Sequence, residues 1–126
     1  MSTDFLYKDE TYEIIGICME VHTILGHGFL EIVYKDAIEH ELLKRNLPYS
    51  REREYKIQYK EIILPHKFYA DFVLLDKIIL EVKAAEGGFA DPQIAQMLNY
   101  LKASCYKVGL LVNFGRNKLE YKRLIL

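Results

Sequence analysis

The stretch YADFVLLDKIILEVKAAE, Tyr69 to Glu86, constrains the fold more than any other part of the chain. It reads as two strands, Lys67 to Leu75 and Lys77 to Ala84, around a turn at Asp76 and Lys77, built almost wholly from Val, Leu and Ile. Asp71, Glu81 and Lys83 interrupt that apolar run. Charges are costly inside such strands unless something offsets them. Any fold that buries this hairpin must therefore neutralise two carboxylates and an ammonium.

Residues two apart on a strand share a face, so Glu81 and Lys83 project together and Val82 points to the opposite layer. Whether Asp71 joins them depends on the loop. A two-residue turn pairs Asp71 with Val82 and sends the carboxylates to opposite faces. A three-residue loop or a single bulge sets Asp71 opposite Glu81, with Cβ atoms roughly 5 Å apart.

The remaining elements follow from periodicity. Ile14, Ile17, Cys18, Val21, Ile24 and Leu25 recur at helical spacing and predict a helix from about Glu10 to Leu25, broken at Gly26, His27 and Gly28. A second helix is expected from about Phe29 to Arg45, with "RNLP" as its stop. After Pro48 the alternation in "REREYKIQYKEIIL" predicts a half-solvated strand, punctuated by Pro65 and His66. Asp91 and Pro92 open a helix as N-cap and first residue, running to about Ser104. "YKVGLLVNF" and "LEYKRLIL" read as two last strands around a turn at "GRNK". The order α-α-β-β-β-α-β-β predicts an α/β fold, a mixed sheet with helices on its faces, as one unit over 1–126.

Composition sets the class. At 51% hydrophobic and 28% charged, the chain suits a globular protein rather than a disordered one. The longest apolar run, Phe72 to Leu75, is too short to span a bilayer, and "MSTDFLYKDE" lacks the order of a signal peptide, so a cytoplasmic location is expected. Cys18 and Cys105, far apart in sequence and in apolar surroundings, read as reduced core thiols. The net charge of −1 conceals a gradient: residues 102–126 carry six basic side chains against Glu120, a third that can face phosphates or simply solvent. Arg51, Arg53, Lys56 and Lys60 alternate along the first strand at a spacing that can track a phosphate backbone, with Glu52, Glu54 and Glu61 interleaved against it.

Two carboxylates held close repel unless a cation lies between them or one is protonated. Hard oxygen donors suit Mg²⁺ or Mn²⁺, and the carbonyl of Val82 adds a third oxygen. Such an ion activates water against a phosphodiester, and a lysine beside it orients or deprotonates that water. The triplet alone is a weak signal: one fixed spacing arises by chance in roughly 3% of chains this long and, with about a dozen spacings allowed, in about a third, so its context in apolar strands carries the weight.

"AD" at Ala70 and Asp71 followed by "EVK" at Glu81 to Lys83 resembles the PD-(D/E)XK nuclease superfamily, whose fold is restriction-endonuclease-like. "VHTILGHGFLEIVY", Val21 to Tyr34, with "YLKASCYKVGLLVNFG" and "LEYKRLIL", resembles the small bacterial and archaeal GxxExxR proteins assigned to that superfamily. The resemblance implies a nuclease acting on nucleic acid, DNA by superfamily habit, with Asp71 and Glu81 as ligands of Mg²⁺ or Mn²⁺ and Lys83 as the catalytic lysine. Its acidic residue from the preceding helical region matches Glu31. The RecB-like branch adds Gln-x-x-x-Tyr on the next helix, which Gln96 and Tyr100 fit. Ala70 stands where the name-giving proline often does.

Each residue also has a plainer reading. Glu31, in the first turn of a helix, gains from the macrodipole. Gly26 and Gly28 shape the turn that delivers it. His22, beside an apolar face, reads first as a core histidine and second as a neighbour of the metal. Asn113 inside "GLLVNF" is expected to make structural hydrogen bonds. Two competing readings of the whole chain are a non-catalytic module binding nucleic acid or protein on the same fold, and a homodimer formed through the acidic helices.

Overall fold

The computed structural model describes residues 6–126; the expectation about residues 1–5 lies outside the described residues. Helices α1 (Lys8–Leu25) and α2 (Glu31–Lys44) precede strands β1 (Tyr49–Tyr59), β2 (Ile62–Leu74) and β3 (Ile78–Lys83). Helix α3 (Asp91–Ser104) then leads to β4 (Val108–Asn113) and β5 (Glu120–Ile125), the predicted order. The strands form one sheet in the order β1-β2-β3-β4-β5. Only β3 and β4 are parallel, because α3 carries the chain back between them.

The sheet is covered on both faces. Ile14, Ile17, Cys18 and Val21 of α1 and Tyr34, Ile38 and Leu42 of α2 pack with Phe72, Leu80, Val82 and Val112. Met97 and Leu101 of α3 pack on the other side with Val73, Ile79 and Leu111. β3 and β4 are accordingly buried on both faces, which explains why their sequences are continuous rather than alternating apolar runs.

Several boundaries differ from expectation, most by one or two residues, and two of the differences have a clear structural cause. β2 runs straight through Pro65 and His66, and the chain reverses earlier, at Lys60 and Glu61. The reason is a bulge: between the pairs Lys56↔Lys67 and Gln58↔Ile63, three β2 residues including Pro65 face the single residue Ile57. A proline without an N–H is tolerated in such an irregularity. Helix α3 starts at Asp91 rather than Pro92, and the Ala90 N–H that would be left over donates to the Gln93 side-chain oxygen (3.0 Å).

The turn between the first two helices is fastened by Tyr34. Its hydroxyl donates to the Gly26 carbonyl (2.6 Å) and accepts from the Phe29 N–H (3.2 Å), and its ring stacks on Phe114 with centroids 4.5 Å apart. Gly26 and Gly28 take φ of 70° and 112°, a region that favours glycine.

Beyond β3 and β4 the chain segments approach very closely. Fully buried Asn113 accepts from the N–H groups of Ala85 (2.8 Å) and Gly115 (3.1 Å) and donates to the Ala85 carbonyl (2.8 Å) and to Glu120 (3.0 Å). It is the structural clamp expected of a buried amide. A Cβ on Gly115 would lie 2.5 Å from the Ala85 backbone nitrogen. Gly115→Ala is therefore expected to destabilise the fold by about 2–3 kcal/mol, read as a lower urea midpoint at unchanged m. A shift under about 0.5 kcal/mol would show that this crossing can relax.

Candidate functional site

The loop between β2 and β3 decides the geometry of the charged triplet. Leu74 pairs with Ile78, which leaves Leu75, Asp76 and Lys77 as a three-residue connection. Leu75 and Asp76 both adopt left-handed φ, 57° and 54°. The register continues through Val73↔Ile79 and Phe72↔Leu80, so Asp71 comes abreast of Glu81. There side chains replace the backbone ladder: the Asp71 N–H donates to Glu81 Oε1 (3.3 Å) and the Val82 N–H to Asp71 Oδ2 (2.8 Å). Each carboxylate is thus tied to the other's strand.

Asp71 has an acid on its other side as well. Between the pairs Arg51↔Phe72 and Arg53↔Ala70, Glu52 of β1 stands opposite it with a left-handed φ of 55°. Glu52, Asp71 and Glu81 form an acidic row across three strands. Its first gap is closed from α2: Lys35 Nζ donates to Asp71 Oδ1 (3.0 Å) and is also bonded to Glu52. Lys35 is only 8% exposed. Burial alone would lower its pKa, but Glu52 and Asp71 outweigh that and raise it, so the ammonium stays charged.

The second gap is compensated less. Glu81 is 4% exposed, and burial first, then the charge of Asp71, pushes its carboxyl up to about 9, with Lys83 acting in the opposite sense. Without a bound cation this burial and the facing Asp71 favour the neutral form of the Glu81 carboxyl. The expected burden of buried charge is real, and the chain meets it with one internal ammonium and one proton.

The other expected residues fall as follows. Lys83, half-buried, ends β3 opposite Asn113. Gln96 and Tyr100 lie on one face of α3, and both border a cavity of about 1050 Å³ between α3 and the β1–β2 hairpin. Tyr100 stacks on Phe68 with centroids 4.1 Å apart. Its pKa is raised by burial and then by Glu81 and Asp71, so the phenol lies within electrostatic reach of the pair. Glu31 opens α2 on the surface, one helical turn before Lys35 and on the same side of the helix. Among the described residues no cluster of three or more His, Cys, Asp and Glu suited to a metal occurs, so Glu31 does not complete a three-acid set with Asp71 and Glu81. His22 is a core residue: its Nε2 donates to the Arg116 carbonyl (2.8 Å).

Lys35 and Glu52 were not among the expected site residues. Lys35 does carry a sequence signal, a cation next to Tyr34 and three before Ile38 in the buried stripe of α2. Two arginines expected to face phosphates are instead held by acids, Arg51 by Asp36 (2.8 Å) and Glu39 (3.2 Å), and Arg53 by Asp76 (2.9 Å).

The odd-length loop thus sets Asp71 abreast of Glu81 on the second and third strands of a mixed sheet, with Lys83 two residues on. Residues 8–124 match the family model of the PD-(D/E)XK nuclease superfamily. The chain belongs to the PD-(D/E)XK superfamily. Its α/β architecture is accordingly restriction-endonuclease-like. Among solved structures, the crystal structure of SSO0001 is similar in fold, with a TM-score of 0.58 and 21% identity over 94% of this chain. The chain spans 59% of that protein's length. No curated protein matches it significantly by sequence. In this PD-(D/E)XK chain the glycine-rich turn reads Gly28-x-x-Glu31-x-x-Tyr34, with tyrosine where the GxxExxR pattern has arginine. At that position Tyr34 is buried with its ring stacked on Phe114. Among the described residues no helix is long and apolar enough to cross a membrane.

Proposed function

We propose that this PD-(D/E)XK domain is a metal-dependent nuclease that hydrolyses phosphodiester bonds of DNA, with Mg²⁺ or Mn²⁺ as its ion. The observation that carries this reading is the abreast pair Asp71 and Glu81, each bonded to the other's strand, with Lys83 two residues beyond. The donor set fits such an ion: Mg²⁺ is held by one or two carboxylates and keeps several waters, so a third acid is not required. Asp71 and Glu81 would hold it, with the Val82 carbonyl as a further oxygen and Glu31 as an outer acid. When bound, the ion polarises the phosphoryl group and lowers the pKa of the attacking water. Lys83 orients that water and offsets charge developing on the phosphate. Gln96 and Tyr100 border the approach from α3.

A second reading, a non-catalytic module that binds nucleic acid or protein, is favoured by one observation: Lys35 already neutralises Asp71 without a metal. Cleavage separates the two. With Mn²⁺ the protein is expected to cut at least one of a single-stranded, a duplex and a branched DNA, and Asp71→Ala to abolish cutting while the far-UV spectrum stays unchanged. No cleavage of any of them by the unaltered protein would support the binding module.

Finer kinship to the GxxExxR proteins belongs to this proposal, as does a cytoplasmic location, which suits the free thiols Cys18 and Cys105. A homodimer would use the exposed apolar side chains Ile24, Phe29, Leu30 and Ile32 at the corner of α1 and α2, and the sedimentation mass decides it.

A further inference from the structure

We propose that the groove between α3 and the β1–β2 hairpin holds an unpaired segment of nucleic acid, so that single or splayed strands are the substrate class. The proposal rests on the nuclease reading for its chemistry, but its binding surface stands on separate residues.

The groove is walled by Tyr100, Ile57 and Ile63, with Phe68 buried at its base between the rings of Tyr55 and Tyr100, while Ala95 and Ala103 keep the α3 side low. Its cavity of about 1050 Å³ lies at the upper end of the range of ligand pockets, roughly 300–1,000 Å³, and has room for a nucleotide segment. Two cations, Lys56 and Lys102, border it, and no carboxylate does. Neither lysine takes part in an ion pair among the described residues. The amides of Gln96 and Asn99 lie on the same helix face as Tyr100 and offer both donors and acceptors.

These features select the occupant. A paired base turns its ring faces to its stacking neighbours, leaving phosphates and groove edges for a protein, and an apolar wall gains nothing from those. An unpaired strand presents ring, base edge and phosphate together, which match the apolar wall, the amides and the two lysines. Tyr100 borders the groove, and Asp71 and Glu81, each two residues from Val73 or Ile79, lie on the sheet face that α3 covers. A strand lying along α3 would pass its backbone toward the acidic pair.

Binding is measured in EDTA, where no metal-dependent cleavage runs, with labelled single-stranded DNA, single-stranded RNA and a DNA duplex of the same sequence. A single strand, DNA or RNA, is expected to bind at least tenfold more tightly than the duplex. The double variant Lys56→Ala, Lys102→Ala, both surface residues, should weaken that binding and flatten the plot of log affinity against log salt by about 0.7 per lysine. Cys105, expected in the core, is instead exposed past the end of α3 and borders the groove, so it provides a second readout, whereas Cys18 is buried with its thiol pushed up to about 12 and should stay unreactive throughout. A bound single strand is expected to protect Cys105 from maleimide, and the duplex not. Equal affinity for duplex, no binding of any strand, an unchanged salt slope in the double variant, or single-strand binding without protection would each overturn the proposal. If binding and protection hold while Mn²⁺ supports no cleavage, the groove stands and the nuclease reading falls. Cleavage without protection has the opposite meaning.

Discussion

Lys83→Ala is expected to slow Mn²⁺-dependent cleavage by about 10²–10⁴-fold, the range for a group that assists proton transfer, with little change in stability. Lys83 sits at the last position of β3, takes part in no ion pair among the described residues, and is the smallest of the influences on the Glu81 carboxyl, drawing it down. Removing it therefore deprives the fold of little packing but costs the site a cation near the reacting phosphate. Two effects are expected together: a lower turnover at saturating metal, and a weaker apparent metal affinity because Glu81 gives up its proton less readily. Lys83→Arg, which keeps the charge but cannot lose it near neutral pH, separates the roles. Recovery of activity in that variant means charge stabilisation, and continued loss means proton transfer. Turnover of Lys83→Ala within threefold of the unaltered protein would remove Lys83 from the mechanism.

Glu81→Gln is expected to abolish cleavage and, in EDTA, to make stability less dependent on pH. In the folded chain burial and Asp71 hold the Glu81 carboxyl near 9, against an ordinary value of 4.5. Over the interval between those values the folded state binds more protons than the unfolded one, so stability falls as pH rises, by at most about 1.4 kcal/mol per pH unit for one proton. Glutamine keeps the shape and a hydrogen-bonding oxygen but has no proton to lose. The melting temperature of the unaltered protein should decline from pH 6 to pH 9, and that of the variant should decline less. Saturating Mn²⁺ should release a proton, and at about 100 times its Kd it should stabilise the unaltered protein by about 2.7 kcal/mol, with a smaller effect on the variant. A melting temperature that rises over this interval, or the same slope in both proteins, would mean that Glu81 is ionised without metal.

Both predictions concern residues already conspicuous in the sequence. Periodicity was sufficient for α1, α2 and α3, and the continuous apolar runs of β3 and β4 announced strands covered on both faces. Asn113, read as a buried amide in need of partners, proved to have four. Pro65 misled because a proline usually ends a strand, whereas here a bulge against Ile57 absorbs it. Arg51 and Arg53 looked available for phosphate because their acidic partners lie on α2 and in the β2–β3 loop, far along the chain.

The sequence by itself determined which residues could carry chemistry, since side-chain type and spacing are local properties: two acids and a lysine within apolar strands, and Gln96 with Tyr100 one helical turn apart. Tertiary structure decided whether they meet. The β2–β3 loop could have held two residues or three, and only the longer one, with Leu75 in a left-handed conformation that leucine seldom adopts, brings Asp71 abreast of Glu81. Lys35 and Glu52 reach Asp71 from 36 and 19 positions away. Their pairing depends on α2 packing over the sheet, a long-range contact that no short-range pattern encodes.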